Sequence, residues 1–146
     1  MRNRNQRGVL VIELAASAFM LLIFSVLAAH LSLMVYGAFI NDRACRDAAR
    51  AAAQGSSRTE AQRMAYTILT THHALGSYVD PPTVKGNVEY QDYTGTPPVG
   101  HSPFVHVVTE TKVHSPFRLL TVCGETFQDG TVVFTQSYTF PIVRVK

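Results

Sequence analysis

The stretch Val9-Leu10-Val11-Ile12-Glu13-Leu14-Ala15-Ala16-Ser17-Ala18-Phe19-Met20-Leu21-Leu22-Ile23-Phe24-Ser25-Val26-Leu27-Ala28-Ala29 decides how this chain is read. It is apolar or small throughout except for one carboxylate, Glu13. An apolar helix of about 20 residues crosses the ~30 Å hydrocarbon core of a bilayer. Within that core an acidic side chain costs roughly 2.5 to 3.5 kcal/mol at the midplane and less toward the ends. A carboxylate kept near the start of such a helix is therefore read as a functional residue. Ahead of it lies a short leader, residues 1–8, whose charges are Arg2, Arg4 and Arg7, and which ends at Gly8.

The run Gly8-Val9-Leu10-Val11-Ile12-Glu13-Leu14 resembles the class III signal of type IV pilins and pseudopilins. The resemblance implies that a prepilin peptidase cuts between Gly8 and Val9 on the cytoplasmic side. It further implies that Glu13 neutralises the new amino terminus of a neighbouring subunit during assembly. Phe is frequent at the new terminus in that family, and Glu-Tyr is common in its tight-adherence branch; here the residues are Val9 and Glu13-Leu14.

Other targeting signals fit less well. The apolar run from Leu14 to Ala29 is longer than a secretory core, and its A-x-A match, Ala16-Ser17-Ala18, precedes most of that run. Cys45 follows Asn41-Asp42-Arg43-Ala44, which is no lipoprotein box. Arg2, Arg4 and Arg7 on one flank balance Arg43, Arg46 and Arg50 on the other, so the cytoplasmic amino terminus rests on the resemblance and not on charge. Three of the 13 Lys and Arg lie in the leader, so its removal leaves ten basic against ten acidic side chains. The remaining basic residues are dispersed and form no aromatic-interleaved patch, which argues against a nucleic-acid partner.

Helical character outlasts the membrane. From Val9 to Ala53 there is no proline and one glycine, Gly37, and a helix of that length is about 65 to 70 Å long, roughly twice the hydrocarbon core. Its second half projects into the next compartment, with His30 falling near the membrane boundary. There Ala44, Cys45, Ala48, Ala49 and Ala51–Ala53 form a small-residue face that lets another element approach closely, opposite Arg43, Arg46, Asp47 and Arg50. The segment Ala44-Cys-Arg-Asp-Ala-Ala-Arg-Ala-Ala-Ala53 resembles the alanine/arginine stretch after the membrane helix of TadE-like pseudopilins of the tight-adherence system. Gly55-Ser56 interrupts the helix, and Ser57-Arg58-Thr59-Glu60 reads as a capping box opening a second one. Its apolar face is Ala61, Met64, Ala65, Ile68, Leu69 and Leu75, with Gly76 as the stop.

Pro81-Pro82 and Gly86 mark a change to extended chain. Val84–Tyr93, Phe104–Val113 and Thr131–Val145 are rich in Val, Thr, Tyr and Phe and read as strands, the last preceded by the turn signal Asp129-Gly130. Gly95–Pro103 reads as an exposed loop. Val105–Leu120, a strand entering an aromatic-proline-leucine corner, and the closing strand Val132–Phe140 again resemble TadE-like elements. About a hundred residues outside the anchor make one small domain, a size at which a core benefits from a staple. A Cys45–Cys123 disulfide would supply one, closing a loop of about 80 residues and contributing roughly 2 to 4 kcal/mol; two unpaired thiols are the alternative.

His72 and His73 are adjacent and point to different helix faces, while His101, His106 and His114 lack ligand spacing, so no metal site is expected. There is no nucleophile elbow, phosphate-binding glycine loop or paired carboxylate, so neither catalysis nor a cofactor is expected. The expectation is an α+β protein with a leader over 1–8, a transmembrane and assembly helix over 9–40, an exposed helical arm over 41–76 and a β-rich periplasmic or extracellular head over 77–146. The resemblance implies a minor pseudopilin in the bacterial inner membrane. Its partners would be a prepilin peptidase, other pilin subunits, the inner-membrane assembly platform and membrane lipid. A single-span anchored binding module, or a minor pseudopilin of type II secretion, are the alternatives.

Overall fold

The computed structural model describes residues 3–72, 76–93, 98–114 and 130–142, with side chains from Gly8 onward. Helix α1 runs Asn3–Ala52, and the chain divides into two compact units, Met1–Ser32 and Leu33–Lys146, so that α1 contributes to both. The first unit is helix alone. Its continuity follows from the absence of proline, and its apolar side chains from Val9 to Phe24 are mostly exposed to solvent, Leu14 at 74%. Ser25 and Ser32 turn their hydroxyls back onto the carbonyls of Leu21 and Ala28, each at 2.8 Å. A hydroxyl so satisfied can sit in an apolar medium without an open donor.

In the second unit, β3 (Phe104–His114) is the central strand of an antiparallel sheet. Along one edge it pairs over its whole length with β4 (Thr131–Pro141), from Phe104↔Pro141 to His114↔Thr131. Both β1 (Thr83–Val84) and β2 (Glu89–Gln91) then occupy the opposite edge. They amount to one strand broken by an insertion, since Val84 pairs with Thr109 but Glu89 pairs with His106. Gly86, at φ 80°, supplies the left-handed residue the break requires. The single strand expected over Val84–Tyr93 is split at this point.

Alternation along β3 is strict: Val105, Val107, Thr109, Thr111 and Val113 are buried, while the residues between them are partly or fully exposed. The buried set faces the small side of α1. Ala44, Cys45, Ala48, Ala49 and Ala52 are fully buried. Gly37 leaves no room for a side chain, because a Cβ there would lie 2.2 Å from Val113 Cγ2. Side chains no larger than these let the helix axis come down onto the sheet.

Helix α2 (Arg58–Leu69) closes the other side of the core with Ala61, Ala65 and Leu69. Ser57 caps it, accepting from Glu60 N at 3.3 Å. The reciprocal half of the capping box is shifted by one residue: Glu60 Oε2 accepts from Ser56 N at 2.9 Å, and from the Ser56 hydroxyl, in place of Ser57 N. The helix stops at Leu69, earlier than Gly76, because Thr70 and Thr71 cap its last turn by donating to the carbonyls of Thr67 and Ile68 at 2.7 and 2.6 Å. Leu75 lies outside the described residues.

Candidate functional site

Glu13 lies on the exposed apolar helix of the first unit. Ala16, Ser17, Met20, Leu21, Phe24, Ser25 and Ala28 share its side of the helix and form a shallow concave strip. The strip is low where alanine and serine stand and high at Met20 and Phe24, a relief suited to receiving another helix. Gly8 and Val9 are exposed, with nothing within 4 Å of the position a Gly8 Cβ would take. The Gly8–Val9 bond lies within α1, and a glycine there weakens the helix by about 1 kcal/mol relative to alanine. Arg4 and Arg7 lie on helical backbone, and Arg2 is outside the described residues.

In the second unit α1 is tied to the sheet by polar groups as well as by packing. Asn41 is fully buried under the β3–β4 pair. Its Oδ1 accepts from the hydroxyls of Thr109 at 2.9 Å and Thr111 at 3.2 Å, while its Nδ2 donates to Phe134 O at 2.9 Å, with Thr109 O at 3.5 Å. The orientation of the amide is forced, because a backbone carbonyl can only accept. One turn on, Cys45 Sγ lies 3.4 Å from the carbonyl oxygens of Val107 and Gln136.

Cys45 is a free thiol, which corrects the expected staple on its side: the side chain faces into the sheet and donates to carbonyls there. Cys123 lies outside the described residues. Burial pushes the Cys45 thiol above the ordinary cysteine pKa, so it is kept protonated as a donor.

Along the β4 flank, Tyr138 donates to Asp42 Oδ1 at 2.6 Å. Arg46 pairs with the other oxygen of Asp42 and lies 5.5 Å over the Tyr138 ring, and Arg50 lies 5.9 Å over Phe140. The phenol and Asp42 together hold the Arg46 guanidinium even more firmly protonated than usual. Sequence reasoning passed over Asn41, Asp42 and Tyr138. A signal for Asn41 was present in its place four residues from both Gly37 and Cys45, a lone amide on the small-residue face.

The histidines are dispersed. His72 Nε2 lies 3.5 Å from Asp47, His101 stacks edge-on against Tyr93, His106 meets Thr139, and His114 bridges Asp80 and Thr131. No three metal-ligating side chains converge among the described residues, and His73 lies outside them. Among the described residues one helix, Gly8–Ala52, is long and apolar enough to cross a membrane, as an anchor or a signal sequence would. Among known protein families, curated proteins and solved structures, none matches this chain.

Proposed function

We propose that the protein is a membrane-anchored, pilin-like assembly subunit, of the minor pseudopilin kind found in tight-adherence or related secretion systems. One observation carries the reading: an exposed apolar helix holds a lone carboxylate, Glu13, five residues after a Gly8–Val9 bond, in a helix whose later turns pack on an antiparallel sheet. In this reading a prepilin peptidase releases residues 1–8. The freed amino group of one subunit then meets Glu13 of its neighbour, and the strip lined by Ala16, Ser17 and Ala28 receives the neighbouring helix. The protein performs no bond chemistry; its work is helix packing in the membrane, with lipid, other pilin subunits and an inner-membrane platform as partners, and with the sheet-bearing unit outside the cytoplasm.

Glu13→Val is the test. For a plain anchor the change removes a membrane-desolvated carboxylate and leaves function intact. For an assembly subunit it leaves a neighbour's amino terminus unpaired in a low-dielectric bundle, where breaking a buried pair costs about 3 to 5 kcal/mol. The expected result is normal processing and insertion, read as an amino-terminal mass beginning at Val9, together with loss of co-purification with pilin partners. A mature protein that keeps Met1 beside a cognate peptidase, or a Glu13→Val variant that co-purifies at wild-type levels, refutes the reading.

A further inference from the structure

Strand β4 ends the described sheet, and no described strand pairs with its far edge. In an antiparallel ladder the N–H and C=O of a residue point to the same edge and switch edges at the next residue. Within β3, Val108, Lys112 and His114 turn theirs toward residues 78–85. The odd-numbered residues of β3 therefore face β4, and their partners Val132, Phe134, Gln136, Tyr138 and Phe140 face back. Thr131, Val133, Thr135, Ser137 and Thr139 are left presenting N–H and C=O outward, with no partner among the described residues.

Natural edge strands are blunted by charges, bulges or prolines. This one has none from Thr131 to Phe140 and pairs without a bulge; its single proline, Pro141, ends it. At its rim stand two cations. Arg46 and Arg50 are held over Tyr138 and Phe140, and Arg50 has no carboxylate partner among the described residues. One helical turn separates the two arginines, about 6 Å along the axis. Alternate residues of an extended chain are separated by about 6.7 Å.

We propose that the outer edge of β4 binds an extended segment of another protein by strand addition, and that this segment carries two carboxylate side chains two residues apart, set beneath Arg46 and Arg50. Main-chain hydrogen bonds to Val133, Thr135, Ser137 and Thr139 supply the affinity, and the paired arginines select the acid-x-acid pattern. The site lies wholly within the second unit and does not depend on the anchor reading.

The test uses the full chain in detergent micelles and two capped peptides, TVTVEVEVT and TVTVKVKVT. Amide exchange at Val133, Thr135, Ser137 and Thr139 is expected to be fast in the free protein and to slow at least tenfold with the acidic peptide in excess. The lysine peptide should bind about three- to tenfold more weakly, the range expected when exposed ion pairs become repulsions. Arg50→Glu, which leaves one attractive and one repulsive contact for either peptide, should abolish that preference, and raising salt from about 0.05 to about 0.5 M should narrow it in the wild type. Thr135→Pro, which removes an outward N–H and leaves the β3 ladder intact, should abolish binding. No slowing with the acidic peptide overturns the proposal, as does equal binding of the lysine peptide. Protection already present in the free protein means the chain covers its own edge, and protection that grows with protein concentration means a second copy does; either result overturns it too.

Discussion

A carboxamide enclosed between a helix and a sheet is stable only when its donors and acceptors are used, and Asn41 uses them on two strands at once. Truncating one partner of such a network leaves the others buried and unmatched, whereas replacing every partner with an apolar group of similar shape is close to neutral. Asn41→Leu should therefore lower stability by about 2 to 3 kcal/mol, and adding Thr109→Val and Thr111→Val should recover most of that loss; thermal unfolding of the three chains followed by circular dichroism decides it. The neighbouring Cys45 is fully buried and its thiol is shifted upward by that burial. At pH 8 it should resist maleimide in the folded protein and react once denaturant is added without reductant. Resistance that persists in denaturant would mean that the thiol is bonded.

Among the elements, α2 rests on a local device that pH can address. Glu60 accepts from Ser56 through both side chain and backbone, and those bonds hold its carboxyl below the usual carboxylate range. A carboxyl whose pKa is lower in the folded than in the unfolded state adds stability above its unfolded value, roughly 4.3, and loses it as pH falls through the folded one. Amide exchange in the first turn of α2 should thus accelerate, relative to its intrinsic rate, as pH falls below about 4.5. Glu60→Gln should open the turn at neutral pH and remove that pH dependence. An unchanged protection pattern in Glu60→Gln would show that Ser57 alone holds the turn. For α1 the decisive property is small side chains at successive turns, Gly37, Asn41, Cys45, Ala48 and Ala52, which turn a good helix former into a ridge that fits a flat sheet.

For the molecule as a whole, the hydrophobic core is drawn from Ala44 to Ile142 and takes nothing from the exposed residues Val9–Phe24. The two compact units differ in what they bury: one exposes an unbroken apolar helix, and the other encloses valines and alanines in a core, with Val35 and Phe39 among the apolar side chains it leaves exposed. A fragment spanning Leu33–Lys146 should therefore fold in water and unfold cooperatively, while the full chain should require detergent or lipid. Gel filtration and circular dichroism of the fragment check this; an unfolded or aggregated fragment would place essential contacts before Leu33.

The long apolar helix, the second helix and the strands were legible from residues 9–29, 57–69, 104–113 and 131–140 because their patterns are local: an unbroken apolar run, a cap, and alternation at period two. Gly37 and the alanines after it announced that something would approach closely, since small residues leave room, and they could not say what. Only the tertiary structure decided that the visitor is the β3–β4 pair, that Asn41 and not a disulfide ties Cys45's turn to it, and that Asp42, Arg46 and Tyr138 meet across the flank. The contacts of α1 with the sheet join residues some 60 to 100 positions apart, such as Asn41 with Thr109, 68 positions on, and Asp42 with Tyr138, 96 positions on. Pairing at that separation depends on strand register and on which helix face turns inward, and neither is encoded in any one stretch of the chain.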